Sequence, residues 1–109
     1  MLYCESGASF IDTFTKRLKE SRLRRGLSQR QLGIEAGIDA SVASPRVNQY
    51  ETGKHRPDTN MVHQLCKVLE IPVAYLYADD DELALILLKF GQLDKATKKQ
   101  VLELFQHNE

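Results

Sequence analysis

Apolar residues recur every three or four positions along most of this chain, which is the spacing of one face of an α-helix. Segment ends marked by glycine, proline and capping residues divide the pattern into seven parts. These parts cover residues 10–25, 29–36, 45–52, 59–70, 72–77, 83–90 and 95–106. No segment alternates apolar and polar residues as a strand does. The pattern therefore predicts an all-α protein.

The second segment has the clearest end signals. Ser28 can cap its start, and Gln31, at the third helical position, completes a capping box. Gly37 suits the left-handed residue that follows a helix end. Leu32 and Ala36 are spaced to face a core. We therefore expect a short, well-bounded helix here.

The connection to the third segment is long and ends at a proline. Pro45 has no N–H to donate and favours a helix start, and Ser44 before it is a suitable cap. We expect the third helix to run from 45 to 52 and to stop at Gly53. The alternative is that a turn of helix begins at Ser41 and kinks before Pro45.

One face of the third helix is polar. Val47 and Tyr50 are three residues apart and would face the core, whereas Arg46 and Gln49 lie on another face, with Asn48 beside them. Arginine recognises guanine in the major groove of DNA, and glutamine and asparagine recognise adenine. An ordinary polar face is the alternative. The capped helix before it and the basic segments on either side favour base recognition.

Charge is unevenly distributed, although the formal net charge is zero. Residues 1–56 hold ten basic and six acidic residues, whereas residues 57–109 hold five and nine. Seven of the basic residues lie between 16 and 30, among them Arg17 and Arg30. Such a cluster is typical of a phosphate-binding surface, which makes these two residues candidate phosphate contacts. A solvated helix face is the alternative.

Residues 18–57 resemble the lambda repressor and Cro family of helix-turn-helix regulators, often called the XRE type. The matching segments are Leu18–Arg22, Gly26–Gln29, Leu32, Ala36–Ile38, Tyr50–Lys54 and Arg56–Pro57. The helices that follow, through Tyr77, fit the same five-helix family domain. The resemblance implies a lambda-repressor-like DNA-binding domain over 9–78. A flexible arm over 1–8 would precede it, and a helical extension over 79–109 would follow.

The resemblance also implies roles for matched residues. Gln29 is similar to the family glutamine that contacts a phosphate and braces the recognition helix. Arg22 and Glu51 resemble the pair that joins the first helix to the end of the third. Lys54 and Arg56 fall in the loop that contacts the sugar-phosphate backbone.

The base-reading positions follow by counting back from Tyr50. This places Gln49 on a base-reading position of the family and Arg46 on the exposed face. The turn before the helix is longer than in the phage repressors, so Ser44 stands where a long polar side chain is usual. With Asn48, these residues are the candidate base contacts.

The two helices of the extension carry an excess of apolar residues. The sixth helix is apolar nearly all round, which predicts burial on more than one side. Phe90, Val101, Leu104 and Phe105 are candidates for a two-fold dimer interface. The alternative is that both helices pack only on their own domain.

No other chemistry is indicated by the sequence. The histidines (His55, His63, His107) and cysteines (Cys4, Cys66) share no metal-ligand or redox spacing, and no glycine-rich phosphate loop is present. We expect no metal, cofactor or enzymatic activity. Neither a membrane span nor a secretory signal is recognisable, so we expect a reducing cytoplasmic location.

The sequence therefore predicts a homodimer that binds double-stranded DNA at specific sites and represses transcription. Two alternatives stay open. An antitoxin would bind DNA with the same domain and a toxin through its tail, and a small partner would co-purify with it. A module that joins other proteins would be indifferent to alanine at Arg46 or Gln49.

Overall fold

The computed structural model describes residues 10–107, and these residues form seven α-helices and no strand. The helices are α1 Phe10–Arg24, α2 Gln29–Glu35, α3 Ala43–Thr52, α4 Thr59–Leu69, α5 Val73–Tyr77, α6 Asp81–Gly91 and α7 Lys95–His107. The predicted all-α fold is confirmed. The arm predicted over 1–8 lies outside the described residues. None of the described helices is long and apolar enough to span a membrane.

The hydrophobic core is formed mainly by α1 to α5, and Ala84 of α6 also belongs to it. Each of α1 to α5 contributes one fully buried aliphatic side chain, in order Leu18, Leu32, Val47, Leu65 and Leu76. Burial of each such side chain contributes about 1.5–3 kcal/mol. α2 packs against α3, and α1 contacts both α3 and α5. The α2–α3 pair is therefore supported from behind by the core.

α2 begins and ends as its sequence predicts. The Ser28 hydroxyl accepts a hydrogen bond from the Gln31 N–H at 3.0 Å, and the Gln31 side chain accepts one from the Ser28 N–H at 2.9 Å. Gly37 has a φ of +98°. The N–H of Ile38 donates to the carbonyl of Gly33 at 2.9 Å, a bond characteristic of the Schellman motif.

Aspartates cap two later helices in the same way. The Asp58 carboxylate accepts from the Met61 N–H at 2.8 Å at the start of α4. Asp94 accepts from the Thr97 N–H at 2.8 Å at the start of α7. Hydrogen bonds from the Thr97 side chain and backbone lower the pKa of Asp94.

α3 begins two residues earlier than the sequence predicts. Ala43 is its first residue, and Val42 occupies the cap position without a side-chain hydrogen bond, so the predicted cap at Ser44 is wrong. Pro45 fits inside the first turn because the first N–H groups of a helix have no intrahelical partner. The N–H of Arg46 donates to the Val42 carbonyl at 3.0 Å. The helix then continues without interruption.

The extension is much less buried than its apolar composition predicts. Ala84 is the one buried residue of α6, and no residue of α7 is buried. Three aliphatic residues of α6 are between 48% and 61% exposed: Leu83, Leu85 and Ile86. Only one face of α6 is covered, where α5 packs against it. The prediction that α6 is buried on more than one side is therefore wrong for a single chain.

α2 and α3 come closest to each other at Gly33. A Cβ atom on this residue would lie 2.8 Å from the Cβ atom of Ala43 and 3.0 Å from its carbonyl oxygen. Carbon atoms in favourable contact are about 3.5–4.0 Å apart. The distance between the two helices therefore depends on a small residue at both positions.

We expect Gly33→Ala to destabilise the protein by about 1–3 kcal/mol, because the added methyl group must push α3 away. Alanine's higher helix propensity would act in the opposite direction. Urea denaturation measures the change in the free energy of unfolding. The double variant Gly33→Ala/Ala43→Gly removes the closest contact, between the two Cβ atoms, and keeps the contact with the carbonyl oxygen. The two substitutions should therefore be less destabilising together than the sum of their separate effects. Additive effects would contradict the close approach.

Candidate nucleic-acid interface

α3 presents polar side chains on the face that the core does not cover. Val47 and Tyr50 are 0% and 6% exposed, which confirms their predicted place in the core. Arg46 and Asn48 are exposed, and Gln49 is half-buried. Hydrogen-bonding groups suited to base edges therefore lie together on one side of a helix whose other side is fixed.

The loop after α3 folds back beside this face. A shallow depression is lined by Arg46, Gln49, Tyr50, His55 and Arg56. The backbone N–H of His55 donates to the carbonyl of Gln49 at 3.3 Å, which holds the loop against the helix. Two predicted base contacts and one predicted backbone contact are thus brought together. The sequence analysis did not predict that His55 lies at this site. Its position between Lys54 and Arg56 in the sequence could have indicated it.

A buried ion pair joins α1 to the last turn of α3. Arg22 donates from Nε to Glu51 Oε2 at 2.6 Å and from Nη2 to Oε1 at 3.1 Å, and the two side chains are 10% and 3% exposed. The Nη1 atom of Arg22 donates to the carbonyl of Leu27 at 2.9 Å. Such a bidentate geometry fixes direction as well as distance. The pair therefore orients α3 on α1.

Gln29, the first residue of α2, extends this ion pair into a network. Its Nε2 atom donates to Glu51 Oε1 at 3.0 Å and to Asn48 Oδ1 at 3.2 Å. Both hydrogens of the Gln29 amide are therefore used within the protein. The side chain links the start of α2 to two successive turns of α3. It thereby brings Arg22, Glu51 and Asn48 into one connected set.

Arg17 does not contribute to a phosphate-binding surface, contrary to the prediction from the basic cluster. It is 5% exposed, its Nε donates to the Ala78 carbonyl at 2.8 Å, and its Nη2 contacts Asp81 Oδ1 at 3.1 Å. The guanidinium is enclosed between α1 and the start of α6. Arg17 therefore joins the extension to the domain, and its assignment as a phosphate contact is wrong.

Other members of the basic cluster are also used internally. Arg24 lies over the ring of Tyr75, 5.8 Å from its centroid, and Arg25 pairs with Glu70 at 2.9 Å. Arg30, by contrast, is exposed and follows Gln29 on α2. The loop residues Lys54 and Arg56 are exposed as well. Together with the exposed Arg46 on α3 itself, these last three residues supply positive charge around α3.

Metal-binding clusters and cysteines are the other candidates for chemistry in the described part of the chain. Within residues 10–107, no group of three or more His, Cys, Asp or Glu side chains could hold a metal ion. Cys66 is buried in α4, and burial raises the pKa of its thiol to about 11. The thiol is therefore protonated, and unreactive, at neutral pH. Cys4 lies outside the described residues.

We expect Arg22→Met to lower the free energy of unfolding by about 3–5 kcal/mol, because it leaves the Glu51 carboxylate buried without its counter-ion. Urea denaturation provides the measurement. Arg25→Met is the matched control, because its ion pair with Glu70 is at the surface and should contribute less than about 1 kcal/mol. Similar small losses in both variants would show that the buried pair is not needed to hold α3.

Comparison with known proteins agrees with this geometry. A family model described as a helix-turn-helix domain matches residues 13–84. The crystal structure of the transcriptional regulator BswR is similar, with 43% sequence identity and a TM-score of 0.79, over 85% of this chain and 92% of that chain. Among the curated proteins, no match was found. The chain therefore belongs to the helix-turn-helix family of DNA-binding regulators, of the lambda-repressor type.

Proposed function

We propose that this protein binds specific sequences of double-stranded DNA as a homodimer and represses transcription from the sites it occupies. One observation carries the proposal. The polar face of α3, with Arg46, Asn48 and Gln49, is uncovered, while its opposite face is fixed by core packing and by the Glu51 ion pair. A rigidly held helix with exposed base-matching groups suits insertion into the major groove.

Arg46 and Gln49 are the principal base contacts in this proposal. An arginine pairs with the O6 and N7 atoms of guanine, and a glutamine with the N6 and N7 atoms of adenine. Residues near the start of a recognition helix usually meet base edges, so Ser44, half-buried in the first turn of α3, adds a contact there. Asn48 lies one position before Gln49 and contributes from the adjoining side of the helix.

Contacts to phosphates come from the basic residues on either side of α3. Arg30 is exposed at the start of α2, and Lys54 and Arg56 are exposed in the loop after α3. Phosphate contacts fix the position of a protein on the duplex without reading its sequence. These three residues therefore set the register of α3, and the base contacts set specificity.

The extension supplies the dimer interface in this proposal. Three apolar residues of α7 are between 50% and 65% exposed: Leu102, Leu104 and Phe105. The two other candidates, Phe90 of α6 and Val101 of α7, are half-buried. An exposed apolar surface of this kind is typical of a protein interface. We therefore assign 79–109 to pairing with a second copy.

Charge supports a second copy as the occupant of this surface. The segment 79–82 contains four acidic residues, and the first half of α7 contains three lysines, at 95, 98 and 99. Asp79 and Asp81 are engaged by Thr13 and Arg17 of the same chain. In a two-fold arrangement, Asp80 and Glu82 are therefore the acidic residues that would meet the lysines of the second copy. Two α3 helices would then reach major grooves about 34 Å apart on one face of the duplex.

Repression follows from occupancy, because a dimer seated on a promoter blocks access to it. DNA binding also implies a cytoplasmic location, which we include in the proposal. The family supports a role in binding rather than in catalysis.

We expect the protein to prefer a duplex from the region upstream of its own gene over shuffled DNA. Arg46→Ala and Gln49→Ala should each reduce that preference about tenfold, because each removes a base contact worth about 1–3 kcal/mol. Lys54→Ala should weaken binding to both duplexes equally and lower the salt dependence by about one counterion. Fluorescence anisotropy at two salt concentrations measures all of these. Weak, salt-sensitive and equal binding to both duplexes would mean that the specific site lies elsewhere or that the basic residues bind DNA without reading it. Failure to bind either duplex at low salt would favour the protein-joining alternative.

We also expect the purified chain to sediment as a dimer. Leu104→Glu should produce a monomer with weaker DNA binding, because it places a charge in the apolar interface. Glu103→Gln, on the same exposed helix, is the matched control and should stay dimeric. A monomeric wild-type chain would contradict the assignment. Co-purification of a different small protein, instead of a second copy of this chain, would support the antitoxin alternative.

A further inference from the structure

Arg17 holds the short segment, residues 78–80, that joins the DNA-binding domain to the extension. Its side chain is buried, and both Nε and Nη2 donate to the carbonyl oxygen of Ala78, the residue after α5. Nη2 also donates to Oδ1 of Asp81, the first residue of α6, at 3.1 Å. The guanidinium lies over the ring of Tyr75, 5.3 Å from its centroid. One side chain of α1 therefore contacts the residues on both sides of the joint between α5 and α6.

Three further contacts hold this joint and α6 on the domain. The Thr13 hydroxyl, also on α1, donates to Asp79 Oδ1 at 2.6 Å. Ala84 of α6 is 2% exposed and belongs to the hydrophobic core. At the far end of α6, a Cβ atom on Gly91 would lie 3.2 Å from Pro72 Cγ, so the helix backbone passes close to the proline. Because α6 is held at both ends, it and the domain form one rigid unit.

A flexible connection between domain and extension would have a different consequence for DNA recognition. Two domains on flexible linkers bind sites over a range of separations, because the linkers adapt to each separation. Here the connection is only three residues long, and side chains of α1 hold two of them, Ala78 and Asp79. The direction of α6 relative to α3 is therefore fixed by contacts inside the domain.

We infer that Arg17 is a positioning residue that sets the separation of the two DNA half-sites. This inference rests on the proposed function, in which residues 79–109 pair two copies of the chain. The surface assigned to pairing includes exposed apolar residues of α6, namely Leu83, Leu85 and Ile86. Because α6 cannot turn on its domain, pairing places the two α3 helices at one distance and one angle. The protein therefore accepts half-sites at a single separation, although Arg17 never touches DNA.

The test measures how the full chain binds duplexes that carry two half-sites at different separations. Selection from a random duplex library with the wild-type chain first defines the half-site and its preferred separation. Changing that separation by two base pairs rotates one half-site by about 70° about the DNA axis, so one α3 no longer faces its groove. Wild-type affinity should then fall at least about tenfold, because both domains cannot bind at once.

The double variant Thr13→Val/Arg17→Met removes the hydrogen bonds from both α1 side chains to the joint. Methionine keeps the apolar stem that packs in place of arginine. The penalty for a changed separation should fall several-fold, whereas the affinity for a duplex with one half-site and the dimer dissociation constant should stay at their wild-type values. A loss of folding alone would lower all three. Arg25→Met, which breaks only the surface pair with Glu70, is the matched control and should keep the wild-type penalty.

A second variant keeps the inference testable where the double substitution prevents folding. Insertion of Gly-Ser-Gly after Ala78 lengthens the joint without replacing any buried side chain, and it should also reduce the penalty for a changed separation. Equal wild-type affinity at several neighbouring separations would overturn the inference and leave the proposed function intact. A wild-type penalty that persists in both variants would also overturn it, because another part of the dimer then sets the separation. A monomeric wild-type chain, or one that prefers no sequence, would overturn the proposed function and this inference together.

Discussion

The orientation of α3 relative to α1 and α2 depends on the buried ion pair between Arg22 and Glu51. Two opposite charges are held where water barely reaches them, and removing one would leave the other buried and unpaired. Such a pair contributes little to net stability, and its main effect is to fix the relative position of the two helices. It joins α1 and the loop carbonyl of Leu27 to the last turn of α3. Gln29 then ties α2 to the same carboxylate. The Glu51 side chain of α3 is thereby bonded to both α1 and α2, which fixes the orientation of the three helices.

Part of the basic cluster between residues 16 and 30 serves to hold the structure together. Arg17 and Arg22 are buried in contacts with other helices, and Arg25 pairs with Glu70. Few charges remain beside α3 for the phosphates of DNA. Affinity that rests on few phosphate contacts depends only modestly on salt. The proposed function therefore requires base contacts and the pairing of two domains for tight binding, which is compatible with a net charge of zero.

Local signals in the sequence predict local structure well. The cap at Ser28 and the burial of Val47 depend on residues within one or two turns, and both are confirmed. The predicted start of α3 at Pro45 was wrong because proline fits any position in the first turn of a helix, so it could not define the first residue of α3. The predicted phosphate contact of Arg17 was wrong for a different reason. Its partners Ala78 and Asp81 lie more than 60 residues away in the chain, and no local pattern reports such a contact.

Interference by base methylation tests the central claim most directly, that α3 reads the major groove from a fixed position. The free duplex is partially methylated with dimethyl sulfate at the N7 atom of guanine, on the major-groove edge, before the protein is added. The account predicts that methylation blocks binding at two groups of guanines about one helical turn apart, where the two copies of α3 would lie. Binding that tolerates methylation at every guanine N7 would contradict it, because the protein would then hold DNA without entering that groove.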